Sequence, residues 1–305
     1  MSEVIDFLMK TKKSDGSFTV LHPITKTANV KTAEEIPVML DTDGIGSFVN
    51  GDTIAAGTSI DSIVRKLVQV RVPPKYTAPS VSISVSSGTV GGYYEEGTNA
   101  AIMISGEFIK NDAGSLNNIV IKKNNVQVEM STVSPISYVE NLTITGVTNY
   151  TATATYAAGL IKKDNFGENY PTGSIPSGSK TSTPITYTSF RKYFWGTDTV
   201  TTPANSSNTV RTLTNSSNHG ATEGTTFTIN ILKGQTRATF AYPANLRDVT
   251  SVEYIEMGND ESKAVFTKSI VPVEGANNFT AIDYKVYSFI PEQPFPSDMT
   301  FKVTI

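Results

Sequence analysis

From about Ser80 onward the chain alternates apolar and polar residues in short runs. These are "SVSISVS" (Ser80–Ser86), "AAIMISGEF" (Ala100–Phe108), "NNIVIKK" (Asn117–Lys123), "NLTITGV" (Asn141–Val147), "NYTATATYA" (Asn149–Ala157) and "TPITYTS" (Thr183–Ser189). A period of two is the signature of a half-buried strand. Clusters of Gly, Asn, Asp and Pro separate the runs at the spacing of an immunoglobulin-like β-sandwich. Within this region "KKNNVQV" (Lys122–Val128) predicts a hairpin closed by an Asn-Asn turn. A second series follows: "TTFTINIL", "ATFAYPANL", "SVEYIEMG", "AVFTKSIV", "AIDYKVYSFI" and the final "TFKVTI". It predicts a second sandwich or barrel whose last strand is paired into a sheet. The polar run from Thr197 to Gly224 reads as a long loop with one short helix.

One stretch breaks the β rhythm. In "GDTIAAGTSIDSIVRKLVQVRVPPKY" (Gly51–Tyr76), Ile60, Ile63, Val64, Leu67 and Val68 recur at helical spacing and form one apolar stripe. Thr58 and Asp61 have the spacing of a capping box, with Thr58 as N-cap, and Pro73 and Pro74 end the helix. Fewer than three turns rich in β-branched residues do not hold in water alone. The stripe is therefore a packing surface, either for its own N-terminal sheet or for other chains. Pieces such as "DGSFTVLHPIT" (Asp15–Thr25), a strand after an Asp-Gly turn, and "IPVMLDTDGIGSFVNGDTI" precede it and predict only short strands. The expected fold is all-β: an N-terminal attachment and oligomerisation segment (1–75) with one amphipathic helix, then an immunoglobulin-like sandwich (76–190) and a C-terminal sandwich or barrel (191–305).

Composition narrows the function classes. With a net charge of -3 and 17% charged residues there is no basic face for nucleic acid. Cysteine is absent, which removes disulfides and thiolate metal sites. No run is long and apolar enough for membrane insertion, and the N-terminal sequence is not that of a secretory signal.

Candidate chemistry is sparse. The two histidines are His22, beside a proline, and His219, in the polar "NSSNHGA"; neither has the partners a nucleophilic triad needs. The carboxylate pairs Glu95/Glu96, Asp164/Glu168 and Asp260/Glu261 lie in turn-like settings, where solvated turns outweigh paired acid and base. "KKDNFGEN" (Lys162–Asn169) loosely resembles a calcium loop but lacks the full alternation of oxygen ligands. Neither a phosphate loop nor a dinucleotide fingerprint occurs. No catalytic, cofactor or metal residue is assigned, and no enzymatic activity is expected. An aromatic cluster of Tyr193, Phe194 and Trp195 reads mainly as packing. With Tyr242 and the 197–224 loop it is also a candidate sugar-binding platform.

Four stretches carry a resemblance: "DGSFTVLHPITKTANV", "GDTIAAGTSIDSIVRKLV" followed by "PPKYTAPSVSIS", "EEGTNAAIMISGEFIKNDAGSLNNIVIKKNN", and "RKYFWGTDT" with "ATFAYPANLRDVTSVEYIE" and "AIDYKVYSF". Their order is similar to that in structural proteins of tailed bacteriophages, of the tail fibre, baseplate or neck appendage type with immunoglobulin-like modules. Ala55 stands where a proline is usual in the second pattern. The resemblance implies a non-enzymatic virion component, assembled in the host cytoplasm, homotrimeric and bound to other virion proteins. The assembly surface is then the stripe Ile60, Ile63, Val64, Leu67 and Val68. Two other roles remain open: a receptor-recognition protein binding a host surface glycan, and a capsid decoration or head fibre protein. A polysaccharide-cleaving enzyme ranks last.

Overall fold

The computed structural model describes residues 9–12, 18–21, 31–38, 44–49, 51–170, 173–258 and 260–305. Strand dominates among them and the helices are short, so the all-β expectation holds at the level of class. Two compact units emerge: the described residues up to Tyr76 together with those of 160–175, and residues 77–159 together with 176–305. The 160–175 segment, within the range expected for the first sandwich, belongs with the N-terminal unit.

The N-terminal unit is built from small pieces. Strands β1 (Met9–Lys12) and β2 (Phe18–Leu21) pair antiparallel, Met9 opposite Leu21. The Asp-Gly turn and His22 lie outside the described residues. β3 (Ile36–Pro37) pairs with β6 (Thr53–Ile54), and β4 (Gly44–Ile45) with β5 (Phe48–Val49). The helix α1 (Ile60–Val68) follows.

The first half of the larger unit has two sheets. Strands β7 (Ser80–Gly88), β9 (Asn99–Ile109) and β12 (Ile136–Thr143) form a three-stranded antiparallel sheet with β9 in the middle. The second sheet has the order β11 (Val126–Ser131), β10 (Leu116–Lys123), β13 (Val147–Tyr156), β15 (Ile185–Phe190), β8 (Gly92–Glu95), and β14 (Gly178–Thr181) also pairs with β13. Ile102, Ile104 and Leu142 of the first sheet meet Ile119, Ile121, Tyr150 and Tyr187 of the second in one core. Gly106 lets the sheets approach closely: a Cβ there would lie 3.1 Å from both Ala152 and Ile136. The expected β10–β11 hairpin is present, with Asn124 and Asn125 both at positive φ (48° and 67°). That is the geometry a two-residue hairpin turn demands and asparagine tolerates.

The second half is layered further. One sheet runs β17 (Asn215–Ser216), β16 (Phe194–Asp198), β19 (Arg237–Pro243), β23 (Ile282–Phe289), β22 (Thr267–Val273). The other runs β18 (Thr226–Ile231), β24 (Met299–Thr304), β20 (Ser251–Tyr254), β21 (Asp260–Glu261). Between them Phe227, Phe240, Tyr242, Tyr287 and Phe301 form an aromatic core. Every residue of β19 is buried, because both of its faces are covered. The second cover is the polar 197–224 run, whose short helix α2 (Ser207–Arg211) and flanks put Ala204, Val210 and Leu213 against Ala241, Val271, Tyr284 and Val286.

A candidate assembly surface and the fate of the carboxylates

The N-cap of α1 is Ser59, not Thr58: its hydroxyl accepts the Ser62 amide at 3.2 Å. The Thr58 hydroxyl instead donates to the Ala55 carbonyl at 2.6 Å, in the turn before the helix. Both ends of α1 are pinned by main chain. At the start, the Thr32 amide donates to the Thr58 carbonyl (2.9 Å) and the Gly57 amide to the Thr32 carbonyl (2.7 Å). At the end, the turn between β4 and β5 supplies the Ser47 amide to the Lys66 carbonyl at 2.6 Å and the Ser47 hydroxyl to the Gln69 carbonyl. Gly46 makes this approach feasible: its φ is +60°, and a Cβ there would sit 2.2 Å from the Lys66 carbonyl oxygen.

Held this way, α1 turns Ser62 and Lys66 toward its own unit, while Asp61 and Arg65 pair with each other on the outside. Ser59, Ser62 and Lys66 line a cleft of about 590 Å³ in their own unit, together with Phe48, Thr53 and Glu168. Ile63 is half-buried, while Ile60, Val64, Leu67 and Val68 are 36, 48, 42 and 74% exposed. No residue of the helix is buried. The described residues of its own unit thus leave Ile60, Val64, Leu67 and Val68 uncovered. Beyond the helix the exposed surface continues through Val70 and Val72.

Arg71, between those valines, points the other way. Its Nε donates to Asp164 Oδ2 and its Nη2 to the Asn169 carbonyl at 3.0 Å, and the guanidinium lies 5.3 Å from the Tyr170 ring centroid. Asn165 mimics a strand neighbour: it accepts the Val72 amide at 2.8 Å and donates to the Val70 carbonyl at 3.2 Å. Asp164 Oδ1 accepts the amides of Phe166 (2.9 Å) and Glu168 (3.0 Å). Burial by itself would raise the Asp164 pKa, but the Glu168 amide, Arg71 and the Phe166 amide outweigh it and hold the carboxyl below its usual range. Glu168 pairs with Lys66. The would-be calcium loop is thus a brace for the helix exit, with the Asp164 oxygens consumed by protein donors. Among the described residues no group of three or more His, Asp or Glu side chains converges as metal ligands.

Of the other candidate carboxylates, Glu95, Glu96 and Glu261 are also engaged. Glu95 pairs with Arg211 and Lys192, and Glu96 with Arg191 at 2.6 Å, where the two halves of the larger unit meet. Glu261 accepts the amides of Val252 (3.1 Å) and Lys263 (2.8 Å). His219 sits edge-on to Tyr193 at 5.8 Å. The proposed aromatic platform is interior: Tyr193 and Tyr242 are buried and Trp195 half-buried. Tyr193 stacks on Trp195 at 5.4 Å, while Tyr242 stacks on Tyr287 at 6.0 Å and donates its hydroxyl to the Arg247 carbonyl at 3.1 Å. Buried rings offer no face to a sugar, so packing accounts for Tyr193 and Tyr242. What the sequence pattern did not reveal is a cavity formed by Phe190, Arg191, Ala221, Leu246, Ile282 and Asp283, residues far apart along the chain.

The chain matches no family model, and no curated protein or solved structure is significantly similar to it.

Proposed function

We propose that this protein is a non-enzymatic structural component of a larger particle. It assembles as a homotrimer through the exposed face of α1, and two tandem immunoglobulin-like sandwiches are what it presents. The observation that carries this reading is the mounting of α1. A helix in an ordinary surface position buries its apolar stripe and shows its polar side to water; here Ser59, Ser62 and Lys66 face inward and Ile60, Val64, Leu67 and Val68 face solvent. Covering apolar surface is worth about 25 cal/mol per Å², so such a stripe favours a partner. Its apolar residues at helical spacing suit copies of itself packed side by side.

The fate of the carboxylates supports a role without catalysis. Glu95, Glu96, Asp164 and Glu168 are held in ion pairs, and Glu261 accepts backbone amides. The immunoglobulin-like reading rests on alternating strands in paired sheets that enclose a core in each half. Through the motif resemblance the particle is a tailed-phage virion, and the chain is an appendage of its tail, neck or baseplate. A photoreactive amino acid placed at Val64 tests the assignment. After irradiation of the purified chain, the reading expects adducts joining copies of the chain near residues 60–72. Adducts confined to solvent, or to residues of the same chain, would refute it.

A further inference from the structure

The larger unit contains an open cavity of about 670 Å³ lined by Phe190, Arg191, Ala221, Pro243, Leu246 and Ile282, with Asn245 and Asp283 also contributing. Its size falls within the range of small-molecule sites. The lining is mostly apolar, with a half-buried aromatic residue where β15 ends. The few polar groups are of a particular kind. The Asp283 carboxylate and the Asn245 amide are exposed and make no hydrogen bond or ion pair among the described residues. The nearly buried Arg191 side chain is committed to the protein, donating to Glu96 and to the carbonyls of Thr280 and Val273. The position of the wall is fixed, since the Ala244 amide donates to the Asp283 carbonyl at 2.9 Å and Lys285 holds the Leu246 carbonyl.

We infer that this cavity binds an uncharged hexopyranose unit. The argument is one of matching chemistry. A pyranose has an apolar C–H face, which suits the ring of Phe190 and the side chains of Leu246 and Ile282. Its vicinal hydroxyls both donate and accept, which suits a carboxylate acceptor and an amide with both functions. The Arg191 guanidinium is already paired with Glu96, so the cavity presents no free cation to an anion, and the Asp283 carboxylate is exposed to water, which screens its pull on a cation. The site is distinct from Tyr193, Trp195 and Tyr242, two of which are buried, and it does not depend on α1 assembly.

The test is an NMR titration of the full-length protein, labelled with ¹⁵N, against four probes: the methyl glycosides of glucose, galactose, mannose and N-acetylglucosamine. Glucosamine and N-acetylneuraminic acid serve as charged counterparts. At least one neutral glycoside is expected to shift the amide signals of Ala221, Asn245 and Leu246 in a saturable way. Asp283→Ala and Asn245→Ala, both at exposed positions without partners among the described residues, keep the fold and are each expected to weaken that binding roughly tenfold, the worth of a charge-assisted or well-placed hydrogen bond. The inference is overturned if none of the four glycosides shifts these signals, if the shifts survive both substitutions, or if a charged sugar binds more tightly than every neutral one.

Discussion

Asp164 shows how a single side chain organises the N-terminal unit. It accepts two amides and a guanidinium, so Asp164→Ala strands three donors at once. The expected loss is about 3 kcal/mol, from the cost of unsatisfied polar groups, read as faster hydrogen exchange at residues 164–169. The pH dependence follows from its lowered pKa. The unfolded carboxyl titrates near about 3.9, so the stabilisation is complete above that value and is lost as pH falls through the lower folded value. Protection of these amides, corrected for intrinsic exchange, should fall in that acid range for the wild type, and the Asp164 contribution to that step should be missing in Asp164→Asn. At the helix start, Ser59→Ala should cost about 1 kcal/mol, whereas Thr58→Ala removes only a bond within the preceding turn. Denaturation of the two variants separates them. A sequence reading "TS" before the first apolar residue allows either cap. Main-chain bonds from Thr32, distant in sequence, choose between them.

Among the elements, strands were the most legible and covers the least. Alternation located the hairpin at Asn124–Asn125 and most strands of both halves, because a one-residue slip would turn the apolar set outward. The stripe of α1 was equally plain in its period, yet period does not tell which way a helix is mounted. That depends on the β4–β5 turn reaching its end and on the cleft beneath Ser62. The 197–224 run misled in the opposite sense. Its composition is polar, and its only buried apolar residues are Ala204, Val210 and Leu213, but those three close one face of β19. Val210→Ala should therefore destabilise the protein by about 2 kcal/mol, the cost of a small cavity in a covered face. Substitutions at the exposed Asn208 should be close to neutral. Urea unfolding of the two variants makes the comparison.

At the scale of the larger unit, the meeting of its halves is what the sequence concealed most completely. The sequence places a boundary near residue 190, where one strand series ends, while residues on both sides belong to one compact unit. The contacts across it join residues 95–97 to 191, 211 and 276–277, which no local pattern links. Besides the Glu95 and Glu96 ion pairs, the Ala276 amide donates to the Glu96 carbonyl at 2.8 Å and Asn277 to the Gly97 carbonyl at 3.0 Å. Gly97, at φ +91°, has no room for a Cβ, which would lie 2.2 Å from the Cβ of Phe279. The two halves are thus expected to unfold together. Trp195, the only tryptophan, reports on the C-terminal half, while far-ultraviolet dichroism reports on both. The two signals should coincide in the wild type and separate in Arg191→Ala, which strips Glu96 of its partner at a cost of about 3 kcal/mol.

The account as a whole rests on α1 being a surface for copies of the same chain. Light scattering on the full-length protein, beside a Val64→Asp/Leu67→Asp double variant, tests that most directly. Both residues are exposed, so the variant should keep the wild-type circular dichroism. The account predicts a wild-type mass three times the 32.8 kDa of one chain, and a variant at the mass of one chain. A wild type that stays at a single chain's mass at high concentration, or a double variant that remains trimeric, would contradict it.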